Sequence, residues 1–200
     1  EDHAHIIIDV KNPYLWQGVA GPYCYTATAH IMKDEEVLDS VTVTYGYRSF
    51  HVDANTGFWL NGRNVPLRGV SRHQDRLDKG WAVSKADHEE DIGLIKELGA
   101  NTIRLAHYQH DQYFYELCNR TGFALWAEIP FISKFIPSQE AYDNTISQMT
   151  ELVAQNYNHP AIFFWGISNE ILIGADNEPL RKNLRDLHKL AKAMDPSRLT

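Results

Sequence analysis

Asn158-His-Pro-Ala-Ile-Phe-Phe-Trp-Gly-Ile-Ser-Asn-Glu170 is the stretch on which the reading of this chain turns. From Ala161 to Ile167 it is almost wholly apolar and aromatic, without helical spacing, and Pro160 bounds it on one side. That pattern predicts a strand buried on both faces. It then breaks into Ser168-Asn169-Glu170. An apolar strand that delivers an amide and a carboxylate at its carboxyl end suits an α/β enzyme whose site lies at the strand ends. The plainer alternative is that Glu170 opens a solvated loop and Asn169 caps the next helix.

Outward from this strand the same unit recurs. Val65 to Val70, entered through an Asn61-Gly62 turn after Phe58-Trp59-Leu60, runs into Ser71-Arg72-His73-Gln74-Asp75. Thr102 to His107 and Phe123 to Ala127 are further short strands, the last ending at Glu128. Helices are predicted between and after them: from Ser84, whose pairing with Asp87 makes a capping box, to Gly99; from about Asp111 to Arg120, stopping at Gly122; from about Gln139 to Tyr157, with Ser138 as cap; and from Pro179, with Leu180, Leu184, Leu187 and Ala191 on one stripe. Alternating strands and helices imply a parallel sheet. No glycine-rich phosphate loop follows any strand and every strand ends in polar residues, which favours a closed (β/α)8 barrel over an open sheet. Because a full barrel takes about 250 residues, residues 57–200 are read as the first half of a TIM barrel.

Residues 1–56 read differently. His5 to Val10, Tyr23 to Met32 and Val37 to Phe50 are rich in Val, Thr, Ile and Tyr, with a polar turn at Lys33 to Glu36, as in an antiparallel meander. Three strands are too few to close a sandwich, so this segment is expected to be part of one.

The composition, 44% hydrophobic and 22% charged, is that of an ordinary globular chain, and a net charge of -7 without a basic run argues against nucleic acid as a partner. No apolar run is long enough to span a membrane, and residues 1–20 show no leader, so the compartment stays open between cytoplasm and periplasm or exterior. Cys24 and Cys118, placed in different segments, are read as free thiols rather than a disulfide.

Collected, the strand ends present Arg72, His73, Asp75, Arg104, His107, Tyr108, Glu128, Asn169 and Glu170. There is no Gly-x-Ser-x-Gly, and Cys118 falls on a helix. Carboxylate chemistry is what remains. Glycoside hydrolysis requires an acid to protonate the leaving oxygen and a carboxylate to attack or to activate water. Glu170 fits the first role, Asn169 can bind a ring hydroxyl, and Arg104 keeps a neighbouring carboxylate ionised. Trp126, Trp165 and Tyr108 offer stacking faces, although Trp165, deep in its strand, reads as core. His73, His107 and His110 could instead hold a metal ion, but His107 closes a strand while His110 lies at the next helix start.

Three ordered stretches carry a resemblance. Phe58-Trp-Leu-Asn-Gly-Arg-x-x-Pro-Leu-Arg-Gly-Val-Ser-Arg-His-Gln-Asp75, Asn101-Thr-Ile-Arg-Leu-Ala-His-Tyr108 and the Asn158 to Glu170 run together resemble glycoside hydrolase family 2, its β-galactosidases above all. The resemblance implies a retaining mechanism on terminal β-D-galactosides. Glu170 would be the acid/base and Asn169 its substrate-binding neighbour, while Arg104, His107 and His73 line the sugar subsite. It also implies a nucleophilic glutamate beyond Thr200, and makes residues 1–56 the last strands of an immunoglobulin-like sandwich.

Two details depart from or blur that pattern. Glu128 is followed by Ile129-Pro-Phe-Ile-Ser133, without the Glu and His that bind magnesium in some family β-galactosidases, so no cofactor and no metal are expected. Arg72-His-Gln-Asp75 also resembles the Arg-His-Glu-Asp of the family's β-glucuronidases, which keeps that sugar as an alternative. Two others are a Glu128/Glu170 pair working by itself and a non-catalytic carbohydrate-binding module. The expected partner is a carbohydrate, with a homo-oligomer allowed.

Overall fold

A computed structural model describes residues 4–173 and 176–200. The barrel reading holds for the second part of the chain. Strands β6 (Gly69–Arg72), β7 (Thr102–Leu105), β8 (Ala124–Glu128) and β9 (Ile162–Gly166) form one parallel sheet in sequence order. Helices α1 (Lys85–Glu97), α2 (Gln112–Thr121), α3 (Gln139–Asn156) and α4 (Glu178–Met194) follow the strands one by one. Parallel neighbours in unbroken order, each joined through a helix, are the barrel's repeating unit.

The helix boundaries follow local chemistry. Both halves of the Ser84/Asp87 capping box form, Asp111 caps α2, Ser138 caps α3, and Asn177 caps α4 ahead of Pro179. Gly122 ends α2 at φ +85°, and a side chain there would strike Gly18 at 2.3 Å, so no other residue fits. The strands' buried faces, Ile103, Leu105, Leu125, Ala127, Ile162, Phe163 and Trp165, meet Phe114, Cys118, Met149, Leu152 and Leu187 from the helices. Trp165 is core, with its Nε1–H donating to Asp195 at 2.9 Å. Cys24 and Cys118 are free thiols, and burial pushes both up from the ordinary thiol range.

The first part differs from expectation in three places. β1 (Tyr25–Lys33) and β2 (Glu36–Tyr45) form the expected hairpin, but His5 to Val10 makes no strand, and Ile6, Ile7 and Ile8 lie exposed. A strand needs a partner for its backbone groups, and no described segment pairs with this one. The run from Val37 to Phe50 is interrupted after Tyr45, at Gly46, which packs so closely on Pro160 that a side chain there would meet it at 2.9 Å. The Asn61-Gly62 hairpin is short: across the turn β4 (Gly57–Leu60) meets a β5 of two residues (Arg63–Asn64) before the chain leaves to become β6.

β4 also pairs with β3 (Phe50–Asp53), so the division at residues 56 and 57 falls in a tight turn, where the Asp53 carboxylate accepts hydrogen bonds from Asn55 and Thr56. This small sheet seats on the barrel through Phe50, whose ring meets Phe163 edge-on at 4.8 Å. Arg48 joins it, donating from Nε to the Pro160 carbonyl at 2.5 Å.

Two histidines set an acid limit on this packing. Burial is the main cause holding His110 down to about 3 and His159 down to about 4, with nearby arginines adding to the effect. Both therefore stay neutral in the fold while the unfolded chain takes up protons near pH 6.5. Stability should be complete above about pH 7 and fall as pH drops toward 4, by at most about 1.4 kcal/mol per pH unit for each histidine. Urea unfolding between pH 7.5 and 5 checks this, and His159→Gln should flatten the dependence.

Candidate active site

Parallel β7, β8 and β9 present their carboxyl ends side by side, and side chains from all three meet there. Glu128 closes β8 with no exposed surface at all. A carboxylate so placed must be neutralised by neighbours or protonated. Arg104 on β7 supplies the charge: its Nε and NH2 both lie 3.1 Å from Glu128 Oε2, and NH2 also reaches Oε1 at 3.1 Å. His107 adds a bond from Nδ1 to Glu128 Oε1 at 2.7 Å. With the carboxylate ionised, that contact, shorter than the 3.2 Å approach of Arg104 NH2 to the same nitrogen, assigns the Nδ1 proton to His107 and leaves Nε2 as its free nitrogen.

Arg104 reaches the fourth strand as well. Its NH2 donates to Asn169 Oδ1 at 2.8 Å, which turns the amide nitrogen of Asn169 outward as a donor for another molecule. The Asn169 backbone is pinned too, donating to the Phe131 carbonyl at 2.9 Å and accepting from the Ser133 N–H at 3.0 Å. Glu170 follows directly. It is exposed, no hydrogen bond ties its carboxylate among the described residues, and its backbone stands at φ +52°. A non-glycine residue in the left-handed region costs on the order of 1 kcal/mol. Such strain persists where surrounding structure over-determines it, commonly at functional sites.

The structure thus gathers Arg104, His107, Glu128 and Asn169 into one network, with Glu170 its chain neighbour. His73, exposed after β6, joins through a ring contact with His107 at 5.0 Å, and Tyr108 through His73 at 6.0 Å. Asp75 is exposed, with no hydrogen bond to the network. His110 is turned elsewhere, its Nε2 facing the Ala106 carbonyl and its Nδ1 facing Arg72, so both nitrogens are committed away from His73 and His107. Glu128 does not pair with Glu170 either. In the β8–β9 register Glu128 stands opposite Gly166, four residues short of Glu170, and both its oxygens are occupied.

Two participants escaped the sequence reading. Trp81 is 70% exposed yet stacked on Tyr108 at 5.0 Å, and its only signal is an aromatic after the turn at Asp78-Lys79-Gly80. Gly166 is the β9 residue facing Glu128, and its signal is a glycine inside an apolar strand, which marks a close approach.

Arrangement and sequence agree with a known family. A sequence model described as "Glycosyl hydrolases family 2, TIM barrel domain" matches residues 51–200. The chain belongs to glycoside hydrolase family 2. It is similar to a β-glucuronidase of Bacteroides fragilis, 42% identical over 198 residues that make 96% of this chain and 28% of that protein. Among solved structures, an FMN-binding β-glucuronidase from Faecalibacterium prausnitzii L2-6 superposes with a TM-score of 0.92 at 51% identity, over 94% of this chain and 29% of that one. A putative β-galactosidase from Bacteroides fragilis superposes with a TM-score of 0.90 at 40% identity, over 94% and 28%. This family 2 chain therefore spans under a third of the length of those relatives. The sequence-stretch resemblance to a glycosidase barrel is borne out, and the immunoglobulin-like character of residues 1–56 stays an expectation.

Gly166 offers a direct test of the network. A Cβ there would come within 2.4 Å of Trp126 Nε1, 2.5 Å of Glu128 Cβ and 2.9 Å of Glu128 Oε2. Gly166→Ala should displace Glu128 from Arg104 and destabilise the fold by about 1–3 kcal/mol. Thermal unfolding measures the loss, and unchanged stability would mean that the sheet has room there.

Proposed function

We propose that this chain carries the acid/base half of a retaining β-glycosidase site, and that Glu170 is the acid/base. The observation that supports this most is the network itself: Arg104 holds Asn169 by its oxygen and Glu128 by both of its own, fixing the residue before Glu170 on a pinned backbone. Glu170 donates a proton to the leaving oxygen, then takes one from water in the second step. Asn169 donates from its amide and His107 offers Nε2 to ring hydroxyls, with His73 beside it. A second glutamate, supplied from beyond Thr200, attacks the anomeric carbon. Residues 57–200 are then the first half of the catalytic barrel and residues 1–56 the last strands of the preceding sandwich.

The sugar is a β-glucuronide in our reading, ahead of the β-galactoside that the sequence stretches first suggested. The relatives of higher identity are named β-glucuronidases, at 42% and 51%. The β-galactoside reading keeps support from a Bacteroides ovatus β-galactosidase at 33% identity. Hydrolysis of nitrophenyl β-glucuronide and β-galactoside by the full-length protein decides between them. A rate preference of at least tenfold for the glucuronide is expected, and preference for the galactoside would reverse the assignment.

Glu170→Gln in the full-length protein should lower kcat/KM by roughly 10²- to 10⁴-fold, the range that general acid catalysis supplies. The loss should shrink for leaving groups that need no protonation, such as dinitrophenolate. A uniform loss across leaving groups would remove Glu170 from the acid role.

A further inference from the structure

Arg72, the last residue of β6, is buried behind the site rather than in it. Its guanidinium lies over the Phe114 ring at 4.0 Å and spends its donors on three groups. Nε and NH2 meet Asp91 Oδ2 at 2.8 and 2.6 Å, NH2 meets His88 Nδ1 at 2.9 Å, and NH1 meets His110 Nδ1 at 3.1 Å. A guanidinium only donates, so both Nδ1 atoms accept and both imidazoles are neutral, with their protons on Nε2. The Nε2–H of His110 then donates to the Ala106 carbonyl at 3.2 Å, while the Ala106 N–H donates to Arg72's own carbonyl at 2.9 Å. The next residue is His107, whose Nδ1 must find Glu128.

We propose that Arg72 is a positioning residue of this site: acting through the His110 ring, it fixes the backbone at Ala106 and so the orientation in which His107 meets Glu128. The proposal rests on the glycosidase reading for its activity readout, but not for its structural one. A planar fork can hold Asp91, His88 and His110 at once, whereas lysine offers a single ammonium and cannot reach all three. The groups facing His110 are Arg72 from β6, His73 just after it, His88 from α1, Tyr108 from its own loop, and Phe114 and Tyr115 from α2. Asp91 is shared with Arg76 at 2.5 Å, so its charge is already matched. Removing Arg72 takes away a cation that opposes protonation of His110, and the ring becomes able to charge at a higher pH.

The test uses the full-length protein with ¹⁵N-labelled histidine, as Arg72→Lys, Arg72→Gln, His110→Gln and His110→Ala. In the parent, the His110 ring should give the neutral, Nε2-protonated signature throughout the range from pH 7 to 5. In Arg72→Gln, where the cation is lost, it should titrate at higher pH, and in both Arg72 variants the His107 signals should shift. Turnover of the preferred nitrophenyl glycoside should fall by up to about 100-fold in kcat, with KM little changed, as expected for a misplaced site, and in Arg72→Gln the acid limb of the pH profile should move upward. His110→Gln, which keeps an N–H for the Ala106 carbonyl, should retain more activity than His110→Ala. Arg72 variants that lower the melting temperature while leaving His107 resonances, kcat and the pH profile as in the parent would overturn the proposal. Absence of turnover in the parent would instead strike the glycosidase reading, and the His107 signals would still decide the role of Arg72.

Discussion

A fully buried carboxylate at the end of β8 is the constraint from which the rest of the site follows. Glu128 has no exposed surface, and an unpaired ion in that position costs several kcal/mol. Arg104 and His107 must therefore sit where they do, and they come from the neighbouring strand and the turn after it. Arg104's remaining reach, to Asn169, then carries the order of β8 across to the end of β9. One ion pair thus locks together three strand ends that sequence separates by 65 positions.

The sheet makes that lock available. Parallel register puts Arg104 beside Trp126 and Glu128 beside Gly166, and only a glycine leaves space for the carboxylate between strands. Arg104 also lies over the Trp126 ring at 5.6 Å, so its position is held by packing as well as by charge. Rigid strands hold the network, while Glu170 sits one residue outside it, exposed and in a strained backbone conformation. That division suits a proton carrier: binding groups need fixed geometry, and an acid/base must exchange protons with water.

Much of this was legible in the sequence because it depends on local chemistry. Caps at Ser84 and Ser138, the Gly122 stop and the apolar runs each announce an element through short-range physics, and the polar residue after each strand follows from barrel architecture. What could not be read depends on which residues face each other in space. That Glu128 stands opposite Gly166, and not Glu170, is a matter of register. That His110 serves Arg72 instead of a metal is a matter of which way a loop turns. The segment from His5 to Val10 has the β propensity of a strand but pairs with no described segment, and propensity has no force without a partner. The sugar is hardest of all, since Arg72-His-Gln-Asp75 is compatible with more than one ring substituent.

The account stands or falls on the proton-transfer role of one side chain, and chemical rescue of that side chain examines it most directly. With Glu170→Ala in the full-length protein, an activated aryl glycoside still forms the glycosyl-enzyme, and azide can enter the space that the carboxylate leaves. The account expects azide to restore turnover and the product to be the β-glycosyl azide, identified by the anomeric coupling in its NMR spectrum. An α-glycosyl azide would make Glu170 the nucleophile, and no rescue at any azide concentration would contradict its place in the reaction.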